Sequence, residues 1–363
     1  MGLSQQAVSA SRQLNGPRAT HPEATGWGAN VSVDIWSIPV SQCTAAAPTG
    51  VVIRLTGGSP TRNVKYMPRL IFAALASFAL AGVGASQQVP GRDLFEFPLG
   101  VLAESPALST RMAGGLWNPA ASALAANQRA QFGFAGLTTP QDQGVRLEMA
   151  AGAYRLSPAI TGSMSFAQAS VSDILRTETD PQSLGSGIPY GTTLLSAGVS
   201  MHRHAAALGL AARYRWGSLD TQRAGVLTID GGVIVEHLAG SPVRVALSTF
   251  LFSPAASKEQ ATYLAAADVP FLRRDSTLLV RGGYSRSQTK GLGHEDYAFA
   301  TSAFHQLDLS AGLAQSTNFG HVNQRLRLGF GLRHAGYTIA IGREDGSAGF
   351  PASYQFLLTR VFP

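Results

Sequence analysis

Over most of the C-terminal two thirds of this chain polarity changes sign at every second residue, the period of an extended strand whose two faces meet different surroundings. In Arg325-Leu-Arg-Leu-Gly-Phe-Gly-Leu-Arg333 one face carries Leu326, Leu328, Phe330 and Leu332, and the other carries Arg325, Arg327, Gly329, Gly331 and Arg333. Ala207 to Trp216 repeats the pattern: Leu208, Leu210, Ala212, Tyr214 and Trp216 oppose Gly209, Arg213 and Arg215. A third run sets Leu307, Leu309, Ala311 and Leu313 against Asp308, Ser310 and Gly312. Comparable segments are Gln131 to Leu137, Gly144 to Arg155, Ile160 to Val171, Thr192 to Met201, Gly225 to His237, Val243 to Phe252 and Gln260 to Val269. They continue with Ser276 to Ser287, Glu295 to Ala303, Tyr337 to Arg343 and Ser353 to Phe362, which makes fourteen predicted strands in an all-β chain.

The connections decide between a soluble sandwich and a closed barrel. Gaps at Thr138 to Gln143, Ile174 to Gly191, Gly217 to Ala224, Gln288 to His294 and Glu344 to Ala352 read as long. The intervening ones, Leu156 to Ala159, His202 to Ala206, Leu238 to Pro242 and His334 to Gly336, read as short. Long loops alternating with tight turns predict a transmembrane antiparallel β-barrel of about fourteen strands in a bacterial outer membrane, tight turns on the periplasmic side. Closure is required there, because hydrocarbon offers no hydrogen-bond partner to a free sheet edge.

The N-terminal third reads differently. From Met67 a short start with Arg69 leads into an apolar run, Leu70 to Ala81, and then small residues at Val83 and Ala85, the pattern of a secretory signal peptide over 67–85. That run is about 12 residues, where a membrane-spanning helix needs roughly 20. Residues 1–66 read as a disordered extension translated from a start codon upstream of the true one, Met67. Residues 86–128 form a segment ahead of the barrel, and 129–363 the barrel itself.

Composition narrows the function. Hydrophobic residues make up 45% and charged residues 13%, which excludes a disordered chain. The single cysteine, Cys43, excludes a disulfide scaffold and a thiolate zinc cage. After residue 85 the chain holds 22 basic and 19 acidic side chains and no run of like charges, so nucleic acid is not an expected partner. No cofactor or metal is expected. His202-Arg203-His204 is the one dense imidazole pair, and its spacing reads as an exposed turn. None of the eight histidines has serine two residues on, the pairing that a strand-borne lipase would need for base and nucleophile, so no catalytic residues are assigned. Neither a dinucleotide glycine fingerprint nor a phosphate-loop lysine motif occurs.

With Asn118-Pro119-Ala120 just ahead of the first strand, an export signal and fourteen strands, the chain resembles FadL-type outer-membrane transport proteins and their PorV-like relatives. The resemblance implies a monomeric barrel whose N-terminal segment folds into the lumen as a hatch, with Asn118, Pro119 and Ala120 as the hatch turn. In the transporter branch it implies passive uptake of hydrophobic, long-chain fatty acid-like molecules that leave sideways through the wall; in the PorV-like branch, a role in protein secretion and surface assembly. A greasy pocket binds an apolar solute by burial alone, and Phe95, Phe97, Leu99, Leu116 and Trp117 are the candidate lining. Arg213, Arg215, Arg325, Arg327 and Arg333 read as lumen charges that either hold a carboxylate headgroup or pair with interior acids such as Asp230, Glu236 and Asp308. The last strand puts Tyr354, Phe356, Leu358 and Phe362 on one face, interrupted by Arg360, and is similar to the terminal strand that the barrel-insertion machinery recognises. Expected partners are therefore outer-membrane lipid, that machinery and a fatty acid-like ligand.

Overall fold

The computed structural model describes residues 88–111, 114–125, 129–140, 144–172, 174, 187–253, 259–274, 277–289, 293–318, 321–346 and 352–362. The expected signal peptide and upstream extension lie outside the described residues.

The described chain begins with a segment of little regular structure: a 3-10 turn at Asp93–Glu96 and two short helices, α1 (Gly114–Trp117) and α2 (Ala121–Ala125). Fourteen strands follow among the described residues. They are β1 (Ala130–Thr138), β2 (Val145–Arg155), β3 (Ile160–Val171), β4 (Tyr190–Arg203), β5 (Ala206–Leu219), β6 (Gln222–Val235) and β7 (Arg244–Phe250). The second half holds β8 (Thr262–Arg274), β9 (Leu278–Thr289), β10 (Gly293–Phe304), β11 (Leu307–Asn318), β12 (His321–His334), β13 (Tyr337–Glu344) and β14 (Ser353–Phe362). Each strand pairs antiparallel with its neighbours in sequence, and β1 closes on β14 from Ala130 opposite Phe362 to Thr138 opposite Tyr354. The sheet has no free edge.

Every predicted strand falls on an observed one, but the long-and-short rhythm of the connections is only partly present. The gaps expected at Gly217 to Ala224 and Gln288 to His294 are largely strand: Gly217 pairs with Ala224, and only 220–221 separate β5 from β6. Only 290–292 separate β9 from β10. Backbone pairing there outlasts the apolar signal, because Gly, Ser and Arg occupy the strand ends while the ladder continues. At the opposite end β12 turns into β13 through Ala335 and Gly336, both at positive φ, the geometry of a two-residue hairpin loop.

Burial is inverted relative to a soluble protein. Large apolar side chains point outward and are exposed, including Phe132, Phe166, Leu210, Tyr284, Leu309, Phe330 and Ile341, and they recur on every strand pair. The polar row faces inward: Arg213, Arg215 and Arg327 are among the largest fully buried side chains. Inside the ring sits the N-terminal segment, whose Leu94, Phe95, Leu99, Val101, Leu116 and Trp117 are buried against wall residues such as Ile234, Phe250 and Leu264.

Candidate functional site

The lumen holds residues 88–111 and 114–125, a hatch segment fastened to the wall on several sides. Its central feature is the Asn118-Pro119-Ala120 turn. The Asn118 Nδ2 donates to the Ala107 carbonyl at 2.7 Å, and its Oδ1 accepts from the Ala120 N–H at 3.0 Å, so one buried side chain ties two hatch strands of backbone together. The turn lies against the wall where β5 and β6 present glycines directly opposite one another, Gly209 and Gly232. A methyl group on Gly209 would fall 2.3 Å from the Pro119 carbonyl carbon, and one on Gly232 would fall 2.0 Å from Asn118 Oδ1. Only glycine leaves room for backbone this close. A second glycine pair, Gly329 and Gly342 on β12 and β13, takes the Leu102 side chain in the same manner.

Polar pins surround these notches. Arg215 donates to the Pro90 carbonyl at 2.6 Å, the Val89 carbonyl at 2.9 Å and Thr192 Oγ1 at 3.0 Å, while pairing with Glu259 at 2.6 Å. Burial raises the Glu259 carboxyl from its ordinary value against the opposing pull of Arg215 and Arg92. Tyr297 donates to the Ala103 carbonyl at 2.7 Å, Gly100 N–H to Gln355 Oε1 at 3.2 Å, and the Ser122 and Ser200 hydroxyls meet at 2.9 Å. Trp117 packs on Phe250 with ring centroids 4.6 Å apart and donates to the Leu99 carbonyl at 3.2 Å.

The expected lumen arginines all find acids, though not always those anticipated. Arg213 meets Asp230 at 2.8 Å and Arg333 meets Asp308 at 3.2 Å. Glu236 takes none of them among the described residues. Arg215 goes to Glu259, and Arg325 and Arg327 form a lattice with Glu295 and Glu344 beside Tyr297. These three glutamates were missed: Glu259 sits in a connection without periodicity, and Glu295 and Glu344 lie at strand ends where alternation fades.

Two chambers remain around the hatch on the β8–β12 side. The outer one, about 250 Å³, is lined by the aromatic rings of Phe95, Phe97 and Trp117 and by the charged or polar groups of Arg92, Asp93, Glu96, Arg286, His294, Glu295 and Arg325. Arg92 Nη1 and Arg325 Nε are buried and meet no protein acceptor. The inner one, about 230 Å³, is bordered by Arg111, Arg244, Asp268, Arg281 and Asp308. Ser105 borders both, its hydroxyl buried without a protein partner. Of the five expected lining residues, Phe95, Phe97 and Trp117 face the outer chamber. Leu99 is buried in the hatch packing, and Leu116 touches only a crevice of about 20 Å³.

The wall has one weak seam. β6 and β7 share a ladder of only four residues, Gly232–Val235 with Val245–Ser248. Beyond it the Asp230 carboxylate accepts from the Leu251 and Phe252 N–H groups at 3.0 and 2.8 Å and the Ile229 N–H donates to the Phe252 carbonyl at 2.8 Å, so a side chain stands in for part of the backbone pairing.

A closed ring of strands with apolar side chains outside, ion pairs inside and a folded plug is stable only where the outside is hydrocarbon. The chain is a bacterial outer-membrane β-barrel. No protein-family model and no curated protein sequence matches it. Among solved structures it is similar to a ΔS2S3 mutant of TodX, a monoaromatic hydrocarbon channel, with TM-score 0.48 and 10% identity over 78% of this chain and 98% of that one. It is also similar to Omp33 of Acinetobacter baumannii (TM-score 0.40, 8% identity, 65% of this chain and 98% of that one). A third similar structure is OprB of Pseudomonas putida (0.37, 10%, 70% and 99%). The lumen of this outer-membrane barrel is occupied by its own N-terminal segment.

Proposed function

We propose that the barrel is a passive channel for small amphiphiles, molecules with an aromatic or aliphatic body and an anionic head, admitted through the outer chamber and released by movement of the hatch. The observation that carries this reading is that Phe95, Phe97 and Trp117 line one cavity together with Arg92 and Arg325, whose Nη1 and Nε donors lack a protein acceptor. A carboxylate or sulfonate satisfies such donors while the rings bury its body, a combination worth more than either contact alone. At roughly 30 Å³ per water-sized group the 250 Å³ chamber holds about eight, which suits a short or monocyclic ligand better than a long acyl chain. The β6–β7 seam supports a sideways exit, since its ladder is shorter than that of any other strand pair among the described residues.

Binding of benzenesulfonate, measured by equilibrium dialysis on the detergent-solubilised protein, tests the chamber. Trp117→Ala is expected to weaken it about tenfold, the equivalent of about 1.4 kcal/mol. Equal binding by wild type and Trp117→Ala would remove the aromatic wall from the account. Absence of any binding would favour the secretion and assembly role, which the short connections at 220–221 and 290–292 also suit.

A further inference from the structure

Arg360 stands in the outward row of β14, between Leu358 and Phe362, where every other side chain of that face is apolar or aromatic. A guanidinium facing lipid costs about 2–4 kcal/mol at mid-membrane and about 0–1 kcal/mol near the interface. Arg360 lies two residues from the end of its strand, roughly 5 Å of depth at the usual rise and tilt, which places it at headgroup level on the tight-turn side. There its guanidinium lies 4.7 Å over the Tyr337 ring and 4.8 Å over the Phe362 ring and donates to the Tyr337 hydroxyl. No carboxylate pairs with it among the described residues. Arg129, just ahead of β1 on the same rim, is also cationic and exposed, and Arg203 closes the outward row of β4 beyond Val199 and Met201, four strands along from β14. The lumen arginines, by contrast, are each matched to an acid.

We infer that Arg360, with Arg129 next along the rim, binds the phosphate of an anionic phospholipid in the periplasmic leaflet. The Tyr337 and Phe362 rings and the Tyr337 hydroxyl hold the guanidinium at this rim, where the donors they leave unused are available to phosphate oxygens. The acyl chains then lie along the apolar rows of β13, β14 and β1, over Ile339, Leu358 and Phe132. The occupant is a lipid and not free phosphate, because the site opens outward onto those rows.

Native mass spectrometry after exchange into phosphatidylglycerol or phosphatidylcholine tests this. Wild type is expected to retain phosphatidylglycerol at least fivefold more than phosphatidylcholine, Arg360→Gln to lose that preference, and Arg360→Lys to keep part of it. Competition by inorganic phosphate as strong as that by phosphatidylglycerol would assign a free-anion site and overturn the inference. So would equal retention of the two lipids by wild type, or an unchanged preference in Arg360→Gln, including the case where that variant only assembles slowly. Should Arg360→Gln fail to fold, Arg129→Gln and the loss of wild-type preference in high salt decide the matter, because a contact at the interface is screened and an acyl-driven one is not.

Discussion

Gly232→Val is expected to unseat the hatch and turn a plugged barrel into an open one. The first carbon of the new side chain falls 2.0 Å from Asn118 Oδ1 and 3.1 Å from the Pro119 ring, so neither a rotamer change nor a small wall shift accommodates it. Overpacking of this kind costs about 1–3 kcal/mol when neighbours can yield. Here the yielding atoms are those that hold the hatch backbone together, the Asn118 bonds to Ala107 and Ala120. Gly209→Val acts on the same turn from the facing strand, with its new carbon 2.3 Å from the Pro119 carbonyl carbon. Gly231→Ala is the internal control, because its added methyl meets nothing nearer than 3.8 Å. Ion conductance in planar bilayers should rise at least tenfold for Gly232→Val and Gly209→Val and stay at the wild-type level for Gly231→Ala. Wild-type conductance in all three would show that the turn does not plug the lumen.

The second large effect lies at the seam. Asp230 is completely buried, pairs with Arg213, and accepts the two N–H groups that β7 leaves unpaired as it departs from the ladder. Asp230→Ala removes all of this and leaves the Arg213 guanidinium buried over the Phe250 ring with no countercharge. Breaking a buried pair from one side costs about 3–5 kcal/mol, whereas replacing both members by apolar groups of similar size is close to neutral. Asp230→Ala should therefore lower the temperature at which the folded band is lost in heat-modifiability gels by 10 °C or more, on the order expected for a loss of that size. Arg213→Met combined with Asp230→Leu should recover most of the fall. Equal losses in the single and double variants would mean that the carboxylate's backbone bonds, and not the ion pair, hold the seam.

How much of this was legible beforehand depends on which residues repeat. The strands were, because Leu326, Leu328, Phe330 and Leu332 face lipid at period two while Arg325 and Arg327 face the lumen, and the backbone obeys the same period. Outer strand ends were not, since Gly217, Ser218 and Arg223 carry no apolar alternation although their backbones still pair, and Gly217 lies where the Pro90 carbonyl approaches the wall. Asn118, Pro119 and Ala120 were singled out from their place ahead of the first strand, but not the notch they occupy. Gly209 and Gly232 are 23 residues apart in sequence and meet only through the β5–β6 register. The partners of the lumen arginines were partly hidden for the same reason: Arg327 is 32 residues from Glu295 and 17 from Glu344. The aromatic residues of the outer chamber come from a 3-10 turn and a short helix that pack on Phe250 of β7, contacts that no local pattern announces.

Uptake into protein-containing liposomes, comparing benzenesulfonate with sucrose, is the most direct test, because the sulfonate's fixed charge keeps it from crossing the bilayer unaided. The account expects saturable entry of the sulfonate through wild type, exclusion of sucrose, and entry of both through Gly232→Val. Free passage of sucrose through wild type, or no entry of the sulfonate through any variant, would contradict a hatch that admits small amphiphiles.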